Sequence, residues 1–266
     1  LNLLGCEFAK LRRKPLFFAA AAVSALIPLG CALFLPDFQE FTSGAEAVDG
    51  MMSTLFQMSA YLLLMPALVV LASNLLFEEQ DNDTLKSLMT VPVSKSALAL
   101  AKMALLFLFA IAFMAVGGLV ILLIVLAAGW EPVGFWRLFF VGVGQGIMMW
   151  AGALPCILLV VLLNRSYIVS VIITFFYTSV NYIFGLNDLF ITQPFGLNLG
   201  TLLPGPLTFR WYFQYLDFSN AGTEMLGLLE RVSPYFVTTA QAFLVTGAEA
   251  AVFLALIALV YKRQGV

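Results

Sequence analysis

Residues 97–128 read ALALAKMALLFLFAIAFMAVGGLVILLIVLAA. One charge, Lys102, interrupts 32 residues that are otherwise apolar or small. A helix of this composition is hydrophobic all round and has no polar side to turn toward water. About 20 such residues cross the hydrocarbon layer of a bilayer. The run therefore reads as a membrane helix that tilts or projects past the lipid, with Lys102 snorkelling to the surface.

Five more runs of the same kind flank it, at 16–36, 53–77, 136–163, 166–186 and 243–261. The first follows Lys10-Leu-Arg12-Arg13-Lys14 but is too long for a signal peptide and lacks its cleavage site, so it reads as a retained helix. The whole chain is 62% apolar and only 11% charged, against about 45–50% and 25% in soluble domains. Its mean hydropathy is +1.00. These values predict an all-α polytopic membrane protein with six transmembrane helices in a single domain, residues 1–266. With 13 basic and 15 acidic residues there is no cationic excess for nucleic acid. The absence of histidine removes imidazole proton relays and histidine-ligated metals. The three cysteines, Cys6, Cys31 and Cys156, are too scattered for a disulfide framework or a metal knuckle.

Charge sets the expected orientation. With a cytoplasmic N-terminus, ten of the 13 basic residues fall on the inner side, leaving Arg137, Arg210 and Arg231 outside. An even number of crossings returns Lys262-Arg263 to the cytoplasm, so both termini are expected there, in the plasma (inner) membrane.

Three regions are not simple spans. In residues 1–15, Leu1, Leu4, Phe8 and Leu11 share one helical face. The segment reads either as a helix lying in the inner interface or as a basic flank that anchors the first crossing. In the loop 78–95, Asp83 can cap a short helix whose Leu85, Leu88 and Met89 share a face and which Pro92 ends. A helix of about two turns is unstable alone and needs a surface to lie on. Ser94 then caps the next crossing. The external stretch 187–242 combines many aromatic residues with breakers such as Pro204-Gly205-Pro206. Short helices that dip into the outer leaflet are expected there, with Thr223–Val232 the best candidate for a regular one.

No motif of catalysis stands out. There is no phosphate-binding GxxxxGK[ST] loop, and Gly142 and Gly146 lie in a span where they read as a small-residue face for close helix packing. Polar groups within spans are costly and are default functional candidates. Glu249 is the only acid well inside a span and is expected to be paired, protonated or turned to a wet cavity. Asn181 and Gln145 read as partners between helices or, with Glu249, as a candidate substrate path.

The acids followed by Thr84-Leu85-Lys86-Ser87-Leu88-Met89-Thr90-Val91-Pro92-Val93-Ser94-Lys95, then Leu98 and Lys102, resemble the first intracellular loop of ABC-2-type permeases. The short chain without a large external domain is most similar to the bacitracin-resistance and lantibiotic self-protection members. Where many members carry glycine before the Thr-Leu pair, this chain has Asp83. The resemblance implies an N-terminal interfacial helix, a cytoplasmic coupling helix over Asp83–Val91, and re-entrant external helices within 187–242. It assigns ATPase coupling to Glu79, Asp83, Thr84, Leu85, Lys86, Leu88, Met89 and Pro92. It also implies a non-catalytic subunit with no cofactor of its own. A separate ABC ATPase would bind ATP and Mg, beside a second copy or a paralogous permease in the lipid bilayer. The alternative from another class is a secondary transporter or channel without an ATPase, in which Glu249 would carry the coupling.

Overall fold

Proline decides how the apolar runs divide into helices. The computed structural model describes residues 5, 8–9, 15–34, 41, 43–81, 94–163, 167–219 and 222–263. The first run, expected as one helix over 16–36, is two helices of nine residues, α1 (Pro15–Val23) and α2 (Leu26–Phe34), joined by a turn at Ser24-Ala25. Pro28 has no N–H for the carbonyl of Ser24, and its ring crowds that carbonyl. Ala25 N–H instead donates to Ala22 at 3.1 Å. Of residues 1–14, only Gly5, Phe8 and Ala9 are among the described residues; all three are helical, and the expected interfacial helix otherwise lies outside them.

Helix α3 is continuous from Gly44 to Asp81: α-helical over Gly44–Thr54, π-helical over Leu55–Leu64, and α-helical over Met65–Asp81. It starts nine residues before the run expected at 53. Ser43 accepts a hydrogen bond from Glu46 N–H at 3.3 Å, a cap at the right spacing for a helix start. The wide π turns directly precede Pro66, whose ring would crowd the Leu62 carbonyl in a regular helix. Met65 N–H bonds five residues back, to Ala60.

Helix α4 (Lys95–Ala127) is capped by Ser94, which accepts from Ala97 N–H at 3.2 Å. It closes at Gly129, where φ is +79°; Trp130 N–H reaches Val125 and Gly129 N–H reaches Leu126. This paired closure is the one a left-handed glycine permits. Helix α5 (Phe135–Leu163) follows and contains Pro155, and α6 spans Tyr167–Gly185. Among the described residues the stretch after α6 holds four short α-helices, α7 (Asp188–Ile191), α8 (Leu199–Leu202), α9 (Pro204–Tyr212) and α10 (Thr223–Val232), and two 3-10 turns, Phe213–Tyr215 and Ser233–Tyr235. Helix α11 (Thr239–Arg263) ends the described chain.

No strand occurs among the described residues. Among the described residues, four helical stretches are long and apolar enough to cross a membrane: Gly44–Leu76, Lys95–Ala127, Phe135–Leu162 and Thr239–Arg263. Helix α6 contributes a shorter apolar stretch, Val171–Gly185. Neither α1 nor α2 reaches the roughly 20 residues of a crossing.

Helix α5 packs against α3, α4, α9 and α11. Gly146 lets it approach α4, where a Cβ would lie 2.9 Å from the Ala110 carbonyl oxygen; Gly142 lies against the Phe56 ring. Trp150 Nε1 donates to the Met103 carbonyl at 3.0 Å. At one end of the bundle Gly44 packs on the Glu131 backbone and Asp217 N–H donates to Asp49 at 2.7 Å. At the other, Ser96 Oγ donates to Ala258 at 3.2 Å and the Lys102 ammonium donates to the Leu75 carbonyl.

Candidate functional site

Helix α9 is an amphipathic-looking segment with every residue buried, Arg210 included. Pro204 at its first turn sits on Gly152 of α5, where a Cβ would come within 2.5 Å of the proline ring. Gly152 lies about 25 Å along α5 from Phe135, by the helical rise. The start of α9 is thus deep in the bundle, and the helix climbs back toward Gly144, which faces Trp211. Its backbone is served by the surrounding helices, as buried irregular backbone requires where water is excluded.

The polar groups gather at that deep end. Gly205 is bracketed: its N–H donates to Asn181 Oδ1 at 3.4 Å, and its carbonyl accepts from the Tyr61 hydroxyl at 3.0 Å. Tyr61 and Thr208 also hydrogen-bond to each other. Gln145 Nε2 donates to the Phe56 carbonyl at 2.9 Å, within the π-helical stretch, and the amide lies within reach of Tyr61. Gln145 Oε1, Ser59 Oγ and the Tyr212 hydroxyl are buried without a hydrogen-bond partner. One level deeper, the Tyr177 hydroxyl donates to the Gly152 carbonyl at 2.5 Å, three residues before Pro155.

The outer end of α9 is held by charge. Arg210 Nε donates to the Tyr235 carbonyl at 2.7 Å and Nη1 to the Gly200 carbonyl at 3.0 Å, while Nη2 is buried without a partner. A buried guanidinium satisfied by carbonyls alone is costly to desolvate, and its place in the last turn of α9 suits the helix dipole. Trp211 Nε1 and the Tyr215 hydroxyl both bond Thr239 Oγ1, at 3.1 and 2.7 Å, and fasten α9 to the start of α11.

Of the residues singled out in the sequence, Asn181 and Gln145 thus lie on this cluster. Glu249 does not: it is half-buried on α11, with no hydrogen bond or ion pair among the described residues, and Tyr177 is in its electrostatic reach. Glu79 lies in the last turns of α3; Asp83, Thr84, Leu85, Lys86, Leu88, Met89 and Pro92 lie outside the described residues. Their segment connects α3 to α4 at the Ser96–Ala258 end of the bundle. Tyr61, Thr208 and Gly205 were not singled out as site residues. The available signal was Pro66 and the Pro204-Gly205-Pro206 triplet, both of which demand unusual backbone.

A family model described as "ABC-2 family transporter protein" matches residues 3–181. The chain belongs to the ABC-2 transporter family. As an ABC-2 permease it is a membrane subunit of an ABC transporter, a class that is generally non-catalytic and typically works with an ABC ATPase. The match takes in the 78–95 loop and runs through α6 to Asn181; α7–α11 lie beyond it. No curated protein matches the chain. Among the described residues, no group of three histidines, cysteines or acids could hold a metal ion.

Proposed function

We propose that this chain is the permease subunit of an ATP-driven exporter, in which Asp83–Val91 is a coupling helix seated on a separate ABC ATPase that binds ATP and Mg. Two permeases, identical or paralogous, would lie side by side in the plasma membrane with all termini cytoplasmic. In this reading six segments cross the bilayer, α1 and α2 together forming one broken crossing. The cargo would be an amphipathic compound removed from the outer leaflet, with peptide antibiotics of the lantibiotic or bacitracin type the proposed class.

The family match across the 78–95 loop is the observation that carries this reading. The geometry supports a route for coupling. The loop joins α3 to α4, and Lys102 fastens the two where they approach it. A displacement along α3 passes into its π-helical stretch and, through Tyr61, to Gly205 of the buried helix. π-helical turns within α-helices are frequent at functional sites.

The test is purification of the tagged full chain from its native membrane, followed by mass spectrometry. The expected result is a stoichiometric soluble subunit with a phosphate-binding loop, lost when Leu85 and Leu88 are replaced by aspartate. A stable oligomer that purifies with no ATPase in any mild detergent would overturn the reading and direct attention to ion-coupled flux and Glu249.

A further inference from the structure

Of the buried polar atoms that no protein group serves, the Tyr212 hydroxyl belongs to a side chain on the wall of a cavity. Tyr212 is fully buried, and its ring is held between Phe56 and Phe209 at centroid separations of 5.2 and 5.6 Å. The hydroxyl therefore cannot swing away to another acceptor. A buried tyrosine hydroxyl ordinarily has a hydrogen-bond partner, and leaving one unserved is costly.

The cavity lies between α3, α6 and α9, where Gln57, Tyr61, Tyr182, Gly185, Phe209 and Tyr212 line it. Its volume is about 10 Å³, the space that a single water molecule needs. Three of these side chains carry hydroxyls and a fourth carries an amide, so the polar partners a buried water requires are at hand. Tyr212 is within electrostatic reach of Tyr61 and Tyr182, yet its hydroxyl bonds neither. Tyr61 gives its proton to the Gly205 carbonyl and can only accept from the cavity side. Gln57 Nε2 is likewise committed, to Ser53 Oγ at 3.1 Å. Neighbouring hydroxyls with no direct bond and a water-sized gap beside them form the pattern that a bridging water fills.

We propose that this cavity binds one ordered water molecule, which accepts a hydrogen bond from Tyr212 and donates to Tyr61 and Tyr182. The water ties α9 to both α3 and α6, at the level where the Tyr61 and Tyr182 rings already meet edge-on at 6.1 Å. Unlike a side chain, it can follow either partner, so the joint between Tyr61 and Gly205 keeps its polar groups served when α3 shifts. That role in coupling rests on the exporter reading; the water site itself does not.

The test is X-ray radiolytic footprinting of the full chain in nanodiscs, with oxygen addition to each aromatic side chain read by mass spectrometry. Hydroxyl radicals formed from a bound water label the side chains beside it, even where bulk solvent has no access. The expected result, after correction for intrinsic reactivity, is labelling of Tyr212 several-fold above that of Phe213, the next residue and comparably buried. Tyr212→Phe should bring the labelling of Tyr61 down toward that of Phe213. It should also leave the thermal midpoint unchanged or lower, since the water's bond is lost with the hydroxyl, whereas removing an unserved hydroxyl would raise it. Equal labelling of Tyr212 and Phe213, whether low or high, would overturn the proposal, and so would a Tyr212→Phe protein that unfolds at a higher temperature than wild type. If the variant does not fold, the wild-type footprint decides alone. Selective labelling of Tyr212 in a chain that purifies with no ATPase would uphold the water site and count against the exporter reading alone.

Discussion

The Tyr61 hydroxyl donates to the Gly205 carbonyl at 3.0 Å across 144 residues of sequence. This bond joins the π-helical stretch of α3 to the first turn of a helix that is buried on all sides. The Thr208 hydroxyl lies 3.2 Å from the same carbonyl, bonds Tyr61 and also reaches the Pro204 carbonyl at 2.6 Å; its single proton serves one acceptor at a time, so it can turn to the Gly205 carbonyl when Tyr61 is removed. The arrangement is redundant, and the redundancy sets what substitutions should do.

Tyr61→Phe should cost only about 0.5–1 kcal/mol, the scale of single hydrogen bonds between membrane helices, because Thr208 still covers the Gly205 carbonyl. Thr208→Val alone should cost a similar amount. The pair together should exceed the sum, since the carbonyl then has no side-chain donor. Denaturant unfolding of the four proteins in detergent checks this. Additive losses would mean that the two hydroxyls act independently.

Close backbone approach at α9 gives a sharper contrast. A Cβ on Gly205 would overlap the Asn181 carbonyl oxygen, and one on Gly152 would lie 2.5 Å from Pro204. Neither neighbour is the flexible end of a side chain. Gly205→Ala and Gly152→Ala should each destabilise by about 1–3 kcal/mol, the range for overpacking. Gly247 in α11 has open space around its Cβ position, so Gly247→Ala should be neutral or stabilising by up to about 1 kcal/mol. Thermal unfolding of the three variants separates packing from propensity.

Arg210 should be intolerant even of lysine. Its Nε and Nη1 reach two carbonyls, of Tyr235 and Gly200, in directions a single ammonium cannot reproduce. Arg210→Lys and Arg210→Met are each expected to destabilise by about 2–4 kcal/mol, through a lost charged bond and an orphaned carbonyl. Because those carbonyls lie on either side of α9, both variants should speed proteolysis within 187–242. Cleavage at the wild-type rate in Arg210→Met would show that the guanidinium does not hold this region.

The long helices were legible because unbroken apolar composition needs no knowledge of neighbours. The end of α4 was equally plain, since Gly129 and the residues around it close the helix locally. The start of α3 was hidden: Gly44–Asp49 looks polar, and only the Ser43–Glu46 spacing marks it as helix. Hydropathy is equally blind to the break that Pro28 imposes at Ser24-Ala25. Gln145 and Asn181 stood out because amides are expensive in lipid. Tyr61 did not, because a tyrosine in an apolar run looks like any core aromatic. The burial of α9 was the least legible feature. It depends on Gly152 and Gly185 being small where Pro204 and Gly205 arrive, a coincidence of distant segments that no local pattern encodes.

The coupling proposal makes one demand on a single side chain. If Leu88 belongs to the face that seats on the ATPase, Leu88→Asp places a charge in an apolar contact, and an unpaired charge there costs several kcal/mol. Residue 88 lies in the 78–95 loop, outside every predicted apolar run, so insertion and the helical bundle should be unaffected. The expected outcome is a variant that reaches the membrane in normal amount and unfolds at the wild-type temperature, yet no longer retains or stimulates the ATPase. A reversed effect, with normal ATPase coupling but poor insertion, would place Leu88 in lipid or in the bundle instead. Leu88→Met, which keeps the apolar volume, should retain coupling and so separates loss of the apolar contact from any substitution at that position.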